Sequence, residues 1–293
     1  MQEAPLTIAR ARQQARDAFQ KAGIPTADLD ARLLLAWAAD ISSEALYSTP
    51  ELELTPVAKD RLAEAIKQRA LGKSVARIIG RRSFWTFDLE LSDATLEPRP
   101  DTEIIVERVL AHIDQKGLLS APLKIIDMGV GTGAILLALL SELPNASGIG
   151  IDLSLDALKI ARTNSERLGL VNRCLFCCGN HLDGIRTSKV DIVVSNPPYI
   201  DTDSVNELDW GVRRYDPALA LDGGPTGLRS YQQMFETLRA QGLPKLGVWF
   251  EIGFDQEMAV SRLFSGLSSR ISCYRDLAEL PRCIELINQD ETF

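Results

Sequence analysis

At 293 residues the chain is long enough for a main domain with a sizeable core and a smaller companion. Hydrophobic residues make up 45% and charged residues 25%, and a formal net charge of −8 argues against a mainly electrostatic grip on nucleic acid, which needs a basic face. The opening Met1-Gln2-Glu3-Ala4-Pro5 is polar, apolar runs such as Leu33–Ala39 and Gly133–Leu140 fall well short of a bilayer span, and five irregularly spaced cysteines suit a reducing compartment. A cytoplasmic protein with no membrane contact is expected.

Residues 1–74 read as a small helical domain. Leu6, Ile8, Ala9, Ala15, Ala18 and Phe19 recur at helical spacing up to Gly23-Ile24-Pro25. A second helix carries Leu29, Leu33, Leu34 and Trp37. Thr55-Pro56 supplies a cap and a first-turn proline for a third, ending near Ala70. Residues 1–80 hold 11 Lys+Arg against 10 Asp+Glu, so the acidity lies beyond them. No catalytic constellation is present here, and a folded docking module is the expected role.

The period changes over 75–98. Val75–Ile79 and Ser83–Leu91, with Phe84, Trp85 and Phe87, predict a β-hairpin joining two domains. Pro98-Arg99-Pro100 is stiff, and Asp101 or Thr102 is placed to cap a helix running to about Asp114. From Leu123 to the end, strands and helices alternate: strands at 123–127, 147–151, 173–178, 189–195, 245–252, 270–275 and 281–287, helices at 132–143, 154–169, 227–240 and 255–266. Such alternation predicts an α/β fold over 99–293, with a mostly parallel sheet covered on both faces and a ligand site at the carboxyl ends of the strands.

Every chemically informative motif falls at such an end. Asp127-Met128-Gly129-Val130-Gly131-Thr132-Gly133-Ala134 follows the first strand and opens a helix, so backbone can approach a ligand closely. Gly129-x-Gly131-x-x-Ala134 also matches a dinucleotide fingerprint, a weak signal alone. Asp127 tips the balance, because a carboxylate there suits a cation better than a pyrophosphate. S-adenosylmethionine carries a sulfonium and an ammonium and no phosphate. Asp152, ending the next strand about 20 residues on, is placed to accept both ribose hydroxyls; capping the following helix is its competing role. Asn180 or His181, after the third strand, is placed to meet an adenine. Cys174, Cys177, Cys178 and His181 are close in sequence, but adjacent strand cysteines face opposite sides, so no metal is expected.

The fourth strand runs Val190-Asp191-Ile192-Val193-Val194-Ser195 into Asn196-Pro197-Pro198-Tyr199. Two prolines with φ fixed near −65° and no N–H make a stiff corner. The Asn196 side-chain oxygen and the Pro197 carbonyl are placed to accept two N–H bonds from one amino or amide nitrogen, and Tyr199 to cover its flat face. Acceptors held in this way favour the transition state over the ground state. Asn196, Pro197 and Tyr199 are therefore the expected catalytic residues, and Asn196–Tyr199 the substrate-binding segment.

The motifs together resemble the release factor glutamine methyltransferases (the PrmC/HemK family), class I S-adenosylmethionine-dependent enzymes with a Rossmann-like seven-stranded sheet. The resemblance rests on Pro98–Glu103, the glycine loop, Asn196-Pro197-Pro198-Tyr199-Ile200, Pro217-Ala218-Leu219-Ala220-Leu221-Asp222-Gly223-Gly224, Phe250-Glu251-Ile252-Gly253 and Asp276–Arg282. It implies methylation of the glutamine side-chain amide in the Gly-Gly-Gln loop of bacterial peptide chain release factors, by a monomer that uses no nucleic acid. Gly129–Gly133, Asp152 and His181 match its cofactor positions, and Asn196 one that touches both cofactor and glutamine. The N-terminal bundle would dock the release factor. Two positions depart: Val130 stands where the family usually has Thr, and Asn180-His181 where it commonly has Asp-Trp. Asn-Pro-Pro-Tyr is shared with DNA amino-methyltransferases, the competing enzyme reading, which would need a basic duplex-binding surface. A cofactor-binding assembly protein without turnover is the non-enzymatic alternative.

Overall fold

A computed structural model describes residues 5–180, 182 and 184–287. The chain divides into two compact units, Met1–Arg81 and Arg82–Phe293.

The first unit is helical: α1 (Ile8–Lys21), α2 (Ala27–Ala39), α3 (Ala45–Ser48), α4 (Pro56–Ala70) and α5 (Val75–Ile79). Thr7 and Thr55 cap α1 and α4 through their side chains, accepting from the Arg10 and Ala58 N–H groups at 3.4 and 3.2 Å. Ile8, Phe19, Leu34, Leu35 and Leu62 form the core of the unit. Asp30 is buried within it and accepts from Arg69 Nε at 2.7 Å and from the Thr26 hydroxyl at 3.0 Å, so no lone carboxylate is left in apolar surroundings. The strand expected over Val75–Ile79 is a helix. Ser74 caps it by accepting from the Arg77 N–H at 3.1 Å, and Gly80, at φ 79°, ends it in the left-handed region. Five residues, four of them apolar and three of those β-branched, are too few to reveal a period, and the two caps decide the outcome. The hairpin is confined to β1 (Arg81–Phe84) and β2 (Phe87–Glu90).

The second unit continues with α6 (Glu103–Gln115), β3 (Lys124–Met128), α7 (Ala134–Glu142), β4 (Ser147–Asp152), α8 (Leu155–Arg167), β5 (Cys174–Cys178) and β6 (Ile192–Ser195). It ends with α9 (Trp210–Tyr215), α10 (Arg229–Gln241), β7 (Gly247–Glu251), α11 (Glu257–Phe264), β8 (Arg270–Arg275) and β9 (Pro281–Ile287). The seven larger strands form one sheet in the order β5-β4-β3-β6-β7-β9-β8. The pairs from β5 to β7 are parallel, and those of β9 with β7 and β8 antiparallel. The sheet is therefore the seven-stranded, mostly parallel one expected. Every residue of β6 and β7 is buried, as strands covered on both faces must be. One core layer gathers Ile105, Val109, Leu136, Leu140 and Trp249; the other gathers Val193, Val248, Phe250, Tyr231 and Phe264.

Candidate active site

Neighbours β3 and β6 continue to opposite sides of the sheet, so strand order reverses between them, and ligands of such sheets bind in the crevice at that point. Register fixes what meets there. Met128 lies opposite both Ile151 and Ser195, so the glycine loop and the Asn196 turn leave the sheet side by side. A Cβ built on Gly129 would stand 3.9 Å from the Asn196 carbonyl oxygen. Asp152 lies opposite Cys178 and its carbonyl accepts from the Gly179 N–H at 3.1 Å, which brings Asn180 to the same edge. His181 lies outside the described residues.

The loop is held from β4. The N–H groups of Gly129 and Val130 both donate to the Ile151 carbonyl, at 2.8 and 3.0 Å. Gly131 N–H donates to Asp152 Oδ2 at 2.9 Å, while Asp152 Oδ1 accepts from Ser154 N–H at 2.9 Å. Asp152 thus braces the loop, and each of its oxygens keeps a second lone pair for a ligand hydroxyl. Ser154, not Asp152, caps α8, accepting from Ala157 N–H at 3.2 Å. Gly133 precedes α7 at φ 86°, and a Cβ there would meet Leu137 at 2.9 Å, so only glycine suits. Val130 and Thr132 are buried; the Thr132 carbonyl accepts from Asn164 Nδ2 at 2.9 Å, and Asn164 also bonds the Glu90 N–H and carbonyl of β2.

Asp127 is the penultimate residue of β3, before the loop, and is buried. Its Oδ2 accepts from Leu136 N–H at 3.2 Å, but its Oδ1, also buried, has no hydrogen-bond partner among the described residues. Burial pushes its carboxyl up to about 8, with the Leu136 N–H opposing and the Asp152 charge adding to the rise. An orphaned acceptor on a desolvated acid suits a cationic, hydrogen-bond-donating ligand, which favours its ionised form, better than a pyrophosphate. S-adenosylmethionine, with its ammonium and its ribose diol, suits Asp127 and Asp152 respectively.

The acceptor corner is buttressed on every side. Ser195 donates to the Met128 carbonyl at 2.7 Å, which ties β6 to β3 at the turn. Ile200 forms a parallel bridge with Asp222, and Gly223 N–H donates to the Ile200 carbonyl at 2.7 Å. A Cβ on Gly223 would stand 2.7 Å from the Pro198 carbonyl and 2.9 Å from Tyr199 Cα, so the Pro217–Gly224 stretch packs its glycine directly on the turn. Gln256 Nε2 donates to the Tyr199 carbonyl at 2.8 Å while its Oε1 accepts from Gly253 N–H. Asn196 Nδ2 donates to Thr102 Oγ1 at 3.1 Å, Thr102 donates to Glu251 Oε2 at 2.6 Å, and the Tyr199 hydroxyl donates to Glu251 Oε1 at 3.1 Å. Burial raises the Tyr199 phenol well above its usual range, helped by the Glu251 charge. Thr102, expected as a helix cap, makes no capping bond; its hydroxyl belongs to this network. Sequence alone assigns no role to Glu251 or Gln256; what marks Glu251 there is its place in Phe250-Glu251-Ile252-Gly253, an acid closing the otherwise apolar run Gly247-Val248-Trp249-Phe250.

A reversed parallel sheet with a glycine loop after its first strand and an acid closing the second defines a class I methyltransferase domain. Consistent with that fold, the structure is similar to the hMettl16 catalytic domain solved with a MAT2A 3'UTR hairpin, at TM-score 0.55 and 14% identity over 78% of this chain and 83% of that one. The PrmC N-terminal domain family matches residues 10–80, and the methyltransferase small domain family residues 105–210. The release factor glutamine methyltransferase of Caulobacter vibrioides is 38% identical over 284 residues, 95% of this chain and 96% of its own. That of Agrobacterium fabrum is 43% identical over 251 residues, 86% of each chain. The chain belongs to the release factor glutamine methyltransferase family, and its cofactor is S-adenosylmethionine.

Proposed function

We propose that the protein methylates the side-chain amide nitrogen of the glutamine in the Gly-Gly-Gln loop of bacterial peptide chain release factors. The observation that supports this most is the polarity of the Asn196 carboxamide. Its Nδ2 donates to Thr102, so Oδ1 is left as an acceptor, on a residue whose backbone carbonyl adjoins Gly129. With the Pro197 carbonyl it offers two oxygens to the two N–H bonds of a primary amide. Hydrogen bonds accepted out of the amide plane weaken conjugation of that nitrogen and make it nucleophilic. The Tyr199 ring, anchored through its hydroxyl, flanks the amide, and Pro198 stiffens the corner.

When bound, S-adenosylmethionine supplies an electrophilic methyl group. Asp127 would hold its ammonium, Asp152 its ribose, and the backbone of Gly129, Val130, Gly131, Thr132 and Gly133 its approach to the loop; Asn180, His181 and Asn196 complete the expected contacts. Orientation at a reacting distance of roughly 3–3.5 Å contributes much of the rate. The alkylated nitrogen is acidic enough to lose its proton without a tuned base. Residues 1–74 are assigned the docking of the release factor, and 75–98 the connection between the domains. The protein is taken to act in the cytoplasm as a monomer, apart from membrane and nucleic acid; no described helix is long and apolar enough to cross a membrane.

Incubating the full chain with S-adenosylmethionine and a release factor, then mapping the product by mass spectrometry, tests the reading. One added methyl on the loop glutamine is expected. An unmodified factor despite measurable cofactor binding would overturn it.

A further inference from the structure

We propose that Glu251 is a positioning residue that, through the Thr102 hydroxyl, dictates which end of the Asn196 carboxamide faces the acceptor nitrogen. The inference rests on the role given above to Asn196 and extends it to two residues that touch neither reactant.

Counting protons carries the argument. Glu251 is buried at the carboxyl end of β7, behind Phe250 and Trp249 in the core. As a carboxylate it accepts only, and both of its oxygens are occupied: Oε2 by the Thr102 hydroxyl at 2.6 Å and Oε1 by the Tyr199 hydroxyl at 3.1 Å. A threonine hydroxyl has one proton. With that proton committed to Glu251, Thr102 presents only lone pairs to Asn196, 3.1 Å away. The Asn196 NH₂ is compatible with those lone pairs and its carbonyl oxygen is not. The amide is thereby turned with nitrogen inward and oxygen toward the crevice.

Neutralising Glu251 reverses the chain. A protonated Oε2 would donate to Thr102, whose own proton would then turn to Asn196 and favour the carbonyl oxygen inward. The acceptor would be withdrawn and an NH₂ offered in its place, repelling the N–H bonds of the incoming amide. One proton on a side chain remote from the reacting atoms thus decides whether the corner accepts or donates.

Titratable and charged groups face Glu251 from several elements. Thr102 and Asp101 face it from the short turn before α6, Tyr199 from the acceptor corner, and Arg282 and Cys283 from β9. Tyr231 of α10 donates to its backbone carbonyl at 2.8 Å. Burial raises the Glu251 carboxyl above its ordinary value, while Thr102, Arg282 and Tyr199 hold it down and Asp101 adds to the rise. Arg282 is itself paired with Asp276 at 3.0 Å. The direction is upward, so acceptor polarity is lost as pH falls through a range above that of a free glutamate.

The test compares Thr102→Val, Thr102→Ser and Glu251→Gln in the full chain by kcat, cofactor Kd, melting temperature and side-chain NMR. Thr102→Val is nearly isosteric but offers no oxygen, and its kcat should fall by about 10- to 100-fold with cofactor Kd kept, while the unpaired Glu251 Oε2 lowers the melting temperature. Thr102→Ser should retain kcat within about threefold, since the hydroxyl relay survives. Glu251→Gln keeps shape but adds a donor; its loss should at least equal that of Thr102→Val, and the acid limb of the wild-type kcat profile should vanish. The Asn196 NH₂ protons, assigned through Asn196→Ala, should exchange slowly in wild type and Thr102→Ser and rapidly in Thr102→Val. Thr102→Val with wild-type kcat and unchanged exchange overturns the proposal, as does Thr102→Ser as impaired as Thr102→Val. If wild type transfers nothing to glutamine, the reading of the site fails, and the exchange data alone decide the amide orientation.

Discussion

Asp127→Asn should stabilise the cofactor-free protein while weakening its hold on S-adenosylmethionine. Asp127 is fully buried, and its carboxyl is pushed from an ordinary value of 3.8 up to about 8. The folded state therefore binds a proton that the unfolded state has released. The sign follows: this group costs nothing below the unfolded value, and stability falls as pH rises from there toward the folded value, the reverse of a salt-bridged aspartate. Near neutral pH, roughly three units above the unfolded value, the cost is about 4 kcal/mol at about 1.4 kcal/mol per unit. Asparagine carries no such cost. Its oxygen can keep the Leu136 N–H bond, while an unpaired NH₂ in place of Oδ1 returns about 1–3 kcal/mol of destabilisation. Urea titrations of both proteins across about pH 5 to 8 should show the stability of Asp127→Asn relative to wild type growing by about 1.4 kcal/mol per unit. Calorimetry should show cofactor affinity falling by at least about tenfold, the loss of one charge-assisted hydrogen bond. A stability difference that does not change with pH would refute the reasoning, since it would mean that Asp127 titrates alike in both states.

Two further substitutions probe the supports of the site. Gly223→Ala places a methyl within 2.7–2.9 Å of the Pro198 carbonyl, the Gly227 carbonyl and Tyr199 Cα, so the corner must shift; it should cost about 1–3 kcal/mol in chemical denaturation and lower kcat while leaving cofactor affinity largely intact. Asn164→Ala removes the bonds to the Thr132 carbonyl and to both backbone groups of Glu90. It should cost about 2–4 kcal/mol and weaken cofactor binding more than it slows turnover at saturation, which equilibrium binding and saturation kinetics separate.

How far the sequence discloses this molecule depends on how local each feature is. The alternation from Leu123 onward is legible because β3, β6 and β7 have largely apolar, buried cores, and Asp127, Asn196 and Glu251 lie at or beside their carboxyl ends. The predicted strand over 189–195 is shorter at its start, since Thr187–Lys189 forms a tight helical turn before pairing begins at Ile192. The helices Ala45–Ser48 and Trp210–Tyr215 carry too few residues for a period to emerge. Val75–Ile79 misleads because β-branched residues suggest a strand where Ser74 and Gly80 enforce a helical turn. At the site, the residues that face the ligand crevice sit in recognisable strand-end motifs. The link between those that hold them in place is not legible: Thr102 and Glu251 are 149 positions apart, and no local pattern joins them.

The two buried acids on either side of β6 show how hydrogen-bond accounting assigns their roles. Asp127 and Glu251 both lie at the carboxyl end of a strand parallel to β6, both are almost wholly removed from solvent, and both have their carboxyls raised first by burial. Asp127 leaves one oxygen without a partner among the described residues, whereas Glu251 has both oxygens engaged by hydroxyls that belong to the acceptor corner. A buried acid with an unmet acceptor is costly to ionise in the folded chain, and a cationic ligand that supplies the missing donor favours the ionised form and offsets that cost. At Glu251 both oxygens are engaged by hydroxyls of the acceptor corner, and its influence passes through the protons it fixes on those partners. The same residue chemistry, placed one strand to either side of the acceptor turn, therefore serves binding at Asp127 and orientation at Glu251. Exchanging their outcomes in the paired experiments, with cofactor affinity lost in Glu251→Gln and amide orientation lost in Asp127→Asn, would break that division.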